Sequence, residues 1–164
     1  MDRLKVQVFG KDHSADKAYV HTTHRIRKPQ ETLDWLKPIA HEMGVTRLAN
    51  VTGLDVIGIP VWTAIRPNSK GLAASQGKGL SHEAAATSAL MEALESWHGE
   101  NIDLPVRIAD YASLSNVAGV VDPNTLLRLN DTPIRRDLQI AWVEGWDVSA
   151  NAAVWVPFES ISTN

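Results

Sequence analysis

The sequence predicts an α+β fold: a mixed or mostly antiparallel sheet with helices packed against it. Three observations carry that prediction. Apolar residues recur at helical spacing between Pro29 and Met43, an alanine-rich helical segment runs from Ser81 to His98, and short alternating or β-branched runs bounded by turn residues occupy 46–76 and 138–158. The composition agrees, since 164 residues that are 44% hydrophobic, with 19 acidic against 16 basic side chains and a net charge of −3, describe one ordinary globular domain. That balance argues against a disordered tail and against a nucleic-acid binder. A chain without cysteine excludes zinc-ribbon, iron–sulfur, thioredoxin-like and cysteine-nucleophile chemistry. No apolar run approaches the ~18 residues that cross a bilayer, and Met1-Asp2-Arg3-Leu4-Lys5 lacks a signal-peptide core, so no membrane partner and a cytoplasmic location are expected.

Taken in order, Leu4, Val6 and Val8 alternate as a weak strand inside a mobile lead-in, residues 1–24. Pro29 suits a first helical position, and Leu33, Leu36, Ile39, Ala40 and Met43 follow at helical spacing; the helix should end near Gly44, with a kink or early stop at Pro38. Between Thr46 and Gln76, turn residues at Gly53, Gly58-Ile59-Pro60 and Arg66-Pro67-Asn68-Ser69 separate two or three strands. Ser81 is the candidate N-cap of the next helix, Glu83 lies in its first turn and Gly99 just past its end. Beyond it, Pro105–Ala109 reads as a short strand and Asp122–Leu126 as a helical turn. Leu138–Asp147 and Ala152–Phe158 then form a hairpin.

The chemistry concentrates on the second helix. Ala86, Leu90, Ala93, Leu94 and Trp97 share one side, while Ser88, Glu92 and Glu95, at spacings of four, three and seven, share the other. A solvated face is the bland reading of such a stripe. Against it, no Lys or Arg lies between Ser81 and His98 to pair with the carboxylates, and Glu95 sits where the helix dipole disfavours negative charge. The pair therefore asks for an external cation, and oxygen ligands without histidine or thiolate suit Mg²⁺ better than zinc. The small neighbours Ala85 and Ala89 leave room for another backbone or a ligand. Upstream, Ser75-Gln76-Gly77-Lys78-Gly79-Leu80-Ser81 delivers a glycine-flanked lysine to the helix N-terminus. This is either an anion-binding turn or a plain strand-to-helix turn, and it matches neither a Walker A loop nor GxGxxG. His21 and His24 lack a third metal-site ligand, His82-Glu83 does not continue into a zinc-protease motif, and no serine occupies a nucleophile elbow.

The segment Thr46-Arg47-Leu48-Ala49-Asn50-Val51-Thr52-Gly53-Leu54-Asp55-Val56-Ile57-Gly58-Ile59-Pro60-Val61, followed by Arg66-Pro67-Asn68-Ser69, Ser75-Gln76-Gly77-Lys78-Gly79 and Ala89-Leu90-Met91-Glu92-Ala93-Leu94-Glu95, resembles the YcaO family, in the variety associated with TfuA partners. The resemblance runs from His24-Arg25 and Glu31-Thr32-Leu33 to Trp155-Val156-Pro157. It implies an ATP- and Mg²⁺-dependent enzyme that phosphorylates a backbone amide oxygen of a ribosomally synthesised precursor peptide. A neighbouring Cys, Ser or Thr then gives an azoline, or sulfide gives a thioamide. Carried over by position, Glu92 and Glu95 would bind Mg²⁺, Ser88 would contact the nucleotide, and Arg25 and Thr32 match N-terminal nucleotide contacts. Lys78 falls in the family's GKG turn with a phosphate-proximal or structural role, and no catalytic residue is assigned.

Two departures qualify the resemblance. Ser96 stands where the family often has arginine. A full YcaO domain is also longer, with further ATP and Mg²⁺ ligands in its second half. Residues 25–164 are accordingly expected to be the N-terminal part of a YcaO-like domain with an incomplete active site. The competing function is a non-catalytic half-domain that binds the precursor peptide or a protein partner such as a TfuA-like protein along a sheet edge near Trp142, Trp146 and Trp155. These tryptophans are more often core than interface. Apolar surface left for the absent half predicts self-association into a homo-oligomer.

Overall fold

The computed structural model describes residues 5–14, 19, 25–127 and 132–163, so His21 and His24 lie outside the described residues. Within them the chain forms eight strands and three α-helices, and every strand pairing is antiparallel, as the α+β expectation requires. Two compact units result: Lys17–Ile102 with Thr163–Asn164, and Met1–Asp16 with Asp103–Ser162.

The first unit carries α1 (Pro29–Glu42), β3 (Arg47–Asn50), β4 (Val61–Ile65), β5 (Ala74–Lys78) and α2 (His82–Glu100), with the strands in the order β3-β4-β5. Helix α2 packs on β4 and β5 and carries α1 on another side. Its core joins Leu33, Leu36 and Ala40 of α1 to Ala86, Ala89, Leu90, Ala93 and Leu94 of α2 and Ala64 of β4. Pro29 opens α1 as expected, with the Glu31 carboxylate accepting from Lys28 N at 3.3 Å. A kink or early stop is expected at Pro38, and the helix continues past it to Glu42. Pro38 and Asp34, whose carbonyl loses its amide partner there, are both exposed, so water can serve that carbonyl. Gly44, at φ +82°, ends the helix with its N–H on His41 O and Val45 N–H on Ala40 O, a paired C-terminal closure that favours glycine.

Ser81 caps α2 through Ala84 N at 3.2 Å, as predicted. Gly99 does not end the helix, which continues to Glu100. Thr163 covers Gly99, and its N–H donates to Gly99 O at 3.1 Å.

The second unit holds β6 (Val106–Ala109), α3 (Tyr111–Ser115), β7 (Ile140–Asp147) and β8 (Ala152–Pro157), in the sheet order β6-β7-β8. A short 3₁₀ turn at Pro123–Thr125 answers the predicted helical turn. The N-terminal segment forms a hairpin rather than a single weak strand: β1 (Lys5–Val8) and β2 (Lys11–Ser14) meet across Phe9-Gly10, both at positive φ, and Phe9 leans on Trp146 with ring centroids 5.9 Å apart. Trp142 is fully buried and donates to Ala109 O at 2.9 Å. It is core, which removes it from the sheet-edge docking surface. Trp155 is half-buried under the Arg107 guanidinium.

Candidate functional site

Ser88, Glu92 and Glu95 lie along one stripe of α2, opposite buried Leu90 and flanked by the packed Ala85 and Ala89, as the helical spacing predicts. Ser88 is half-buried, and both carboxylates are exposed. Neither carboxylate has an ion-pair partner among the described residues. The small residues beside the stripe have a definite neighbour. A Cβ on Gly77 would lie 2.1 Å from Ala85 O and 2.2 Å from Ala89 N, so the β5 backbone rests directly on the helix backbone. Of the two occupants that Ala85 and Ala89 could admit, the structure puts a strand there.

This contact also orients the lysine of the glycine-flanked turn. In β5, Ser75 and Gly77 are buried while Gln76 and Lys78 are exposed, so strand alternation turns Lys78 to the face opposite α2. The glycines on either side serve packing, because a Cβ on Gly79 would likewise meet Ala84 and Ala85 at 2.7–2.9 Å. On another side of the helix, buried Thr87 donates to Pro29 O at 3.0 Å and ties the first turn of α1 to the middle of α2. Thr32 stands one turn into α1, half-buried, its hydroxyl donating to Lys28 O at 3.3 Å. The elements bearing Thr32, Lys78 and Ser88 therefore converge on the turn of α2 at 85–89. Arg25 is exposed and has no hydrogen bond or ion pair to another described residue.

The sequence reasoning missed the strongest electrostatic feature of this unit. Arg66 and Glu100, 5% and 4% exposed, form a bidentate ion pair with Nη2–Oε2 at 2.6 Å and Nη1–Oε1 at 3.3 Å. Hydrogen bonding from Arg66, aided by the backbone N–H groups of Lys70 and Gly71, holds the Glu100 carboxyl below its ordinary value near 4.5, while Lys70 Nζ separately donates to the Glu100 main-chain carbonyl at 2.8 Å. A signal for it was present: a glutamate in a helix's last turn opposes the dipole and needs a cation. The same reasoning was applied to Glu95, yet Arg66 answers it at Glu100 and leaves the Glu92/Glu95 stripe open to solvent. A cavity of about 220 Å³ borders the pair, lined among others by Glu42, Lys70 and Trp97.

Among the described residues no three His, Cys, Asp or Glu side chains gather into a cage that would hold a metal alone. Two carboxylates and a hydroxyl on one stripe fit a more limited role. Mg²⁺ dehydrates reluctantly, keeps several waters and binds through one or two carboxylates plus the phosphates of a nucleotide. No helix among the described residues is long and apolar enough to cross a membrane.

The fold and the stripe define an α+β protein that carries two exposed carboxylates and a hydroxyl along one helix. A family model described as YcaO cyclodehydratase, ATP- and Mg²⁺-binding, matches residues 76–163, and the chain belongs to the YcaO family. An uncharacterised protein of Mycobacterium tuberculosis is 35% identical over 158 residues, covering 96% of this chain and 36% of its own length. A protein encoded in the tfuA 3′ region of Rhizobium leguminosarum bv. trifolii is 36% identical over 131 residues, covering 79% of this chain and 31% of its own. The chain thus spans about a third of the length of the curated relatives it matches. Among solved structures, YcaO from Methanopyrus kandleri bound with AMPPCP and Mg²⁺ superposes with a TM-score of 0.63 at 24% identity, covering 85% of this chain and 34% of that one. A heterocyclase in complex with substrate and cofactor gives 0.69 at 18% identity, covering 98% and 24%. Both show the same fold.

Proposed function

We propose that residues 25–164 are the N-terminal part of a YcaO domain that activates a peptide backbone amide with ATP and Mg²⁺, and that α2 is its metal-binding element. The observation that carries this reading is the stripe of Ser88, Glu92 and Glu95: two exposed carboxylates without a cation partner among the described residues, one helical turn from a hydroxyl. Mg²⁺-bound ATP, when present, supplies the phosphoryl group that converts the amide oxygen into a leaving group. Glu92 and Glu95 hold the metal, and Ser88 orients the nucleotide along the same stripe. Thr32 and Arg25 approach the nucleotide from the start of α1, and the glycines around Lys78 let β5 seat against the helix. A Cys, Ser or Thr side chain of the substrate peptide, or sulfide, displaces the activated oxygen to give an azoline or a thioamide. The tfuA-region relative supports a TfuA-like protein as a partner.

A second reading, a half-domain that binds a precursor peptide or protein partner without catalysis, is favoured by one observation. The β3–β4 loop exposes Leu54, Val56 and Ile57, at 86%, 103% and 71%. This surface also favours self-association.

One experiment separates the two readings. Mg²⁺-ATP is expected to raise the melting temperature of the chain by several degrees, and the double variant Glu92→Gln/Glu95→Gln, whose exposed side chains leave the fold intact, is expected to lose that shift. A variant that shifts as much as the parent would show that the carboxylates are not the metal ligands. No shift in the parent would leave the binding module as the better reading.

A further inference from the structure

Helix α2 meets its neighbours through Leu90 and Leu94 and through four buried alanines, Ala85, Ala86, Ala89 and Ala93, whose side chains raise only shallow ridges against sliding or rolling. Polar anchors add directional contacts to this packing. In the first half these are the Ser81 cap and the Thr87 hydroxyl on Pro29 O. In the second half, which carries Glu92 and Glu95, the buried anchor is Arg66. Its Nη1 donates to Ala93 O at 3.4 Å, both Nη groups bind the Glu100 carboxylate, and Nε donates to Met43 O at 3.2 Å. Ala93 stands between the two stripe carboxylates in sequence, so the guanidinium grips the turn from which they project. Through Met43 the same group ties that turn to the end of α1.

We propose that Arg66 is a positioning residue for the metal site on α2: by clamping Ala93 O, Glu100 and Met43 O together, it fixes the aim and separation of Glu92 and Glu95 that Mg²⁺ requires. The inference rests on the reading of the stripe as a Mg²⁺–nucleotide site. A planar fork with donors on three nitrogens can hold three acceptors at fixed angles, which the single ammonium of lysine cannot reproduce although it keeps the charge. Mg²⁺ demands near-octahedral geometry at short distances, whereas Ca²⁺ tolerates irregular shells at longer ones. Loosening the clamp should therefore penalise Mg²⁺ selectively, while a general loss of folded protein would weaken both ions by the same factor.

The test is calorimetric titration of the full chain and of Arg66→Lys with Mg²⁺-ATP and, separately, with Ca²⁺-ATP. Removing such a supporting contact is expected to weaken Mg²⁺-ATP binding about tenfold. Ca²⁺-ATP binding should change by no more than about twofold, because its shell adapts. Equal weakening of both, or of neither, overturns the positioning role while leaving the metal site standing. A parent chain that binds neither complex overturns the underlying reading, and the positioning role with it. Should Arg66→Lys fail to fold, Glu100→Asp, which keeps the charge but withdraws the carboxylate from the guanidinium by one methylene, is expected to show the same Mg²⁺-selective loss.

Discussion

Gly77→Ala is expected to abolish cooperative folding of the unit built on α2. The added Cβ would lie 2.1 Å from Ala85 O, 2.2 Å from Ala89 N and 2.9 Å from Ala89 Cα. All three are backbone atoms of a helix, so no rotamer change can relieve the overlap. Either β5 leaves the helix or the helix moves off the sheet, and both outcomes expose the core around Leu90 and Ala89. Ordinary overpacking costs about 1–3 kcal/mol, and a clash with rigid backbone belongs at or beyond the upper end of that range. Gly71→Ala is the matched control, because its Cβ would meet only ordinary contacts at 3.7–3.8 Å. Urea unfolding followed by circular dichroism should give a parent-like midpoint for Gly71→Ala and no native baseline for Gly77→Ala. A Gly77→Ala protein as stable as the parent would mean that the strand does not rest on the helix as described.

Arg66→Met carries the second large effect. It leaves the Glu100 carboxylate buried without its cation and removes the donor to Met43 O, while Ala93 O, inside the helix, loses only a second donor. Breaking one partner of a buried pair costs about 3–5 kcal/mol. The loss should depend on pH in a definite direction. Because Arg66 holds the folded-state Glu100 pKa below its ordinary value near 4.5, the pair contributes fully above that value, and its contribution disappears as pH falls through the lower folded pKa. Parent and variant should therefore differ most near neutrality and converge in acid. The double variant Arg66→Met/Glu100→Leu removes the stranded charge and should recover part of the loss, leaving the cost of the unserved Met43 carbonyl. A constant difference across the pH range would show that the ion pair is not the source of the destabilisation.

Much of the fold was legible because its signals are local. Ser81 before an alanine-rich run, Pro29 before a 3.6-residue period, and alternating runs either side of Val148-Ser149-Ala150-Asn151 each specify an element within a few residues. The errors fall where local signals mislead or are missing. Pro38 reads as a kink or stop, but the helix continues past it, and Asp34, whose carbonyl loses its amide partner, is exposed. Gly99 reads as a terminator, yet Thr163, 64 residues on, covers it inside the last turn. The β1–β2 turn uses Phe9-Gly10 instead of the Asn-Gly or Asp-Gly that marks such hairpins. Helix α3, five residues long and capped by the Asp110 side chain on Ser113 N, is too short to show a period.

The candidate site divides in the same way. The Ser88-Glu92-Glu95 stripe follows from spacing alone, because a helix converts intervals of four and three into one face. What surrounds the stripe does not follow from spacing. Alternation in β5 sets the direction of Lys78, and that depends on Gly77 being the residue that meets the helix. The Arg66–Glu100 pair joins positions 34 apart on different elements, and only the excess negative charge at the end of α2 hinted that a cation had to arrive. Trp142 and Trp155 look alike in sequence, yet one is fully buried with its N–H on Ala109 O and the other is half-buried beneath Arg107.

The central claim is that metal-bound nucleotide sits on the exposed stripe of α2, and paramagnetic broadening tests it most directly. With ATP present, Mn²⁺ in place of Mg²⁺ relaxes nearby nuclei, so amide resonances of a ¹⁵N-labelled chain should disappear in order of distance from the ion. The account predicts that the amides of Ser88, Glu92 and Glu95 are lost first, and that they survive the same titration in Glu92→Gln/Glu95→Gln. Broadening centred on any other element, or identical broadening in the double variant, would contradict it.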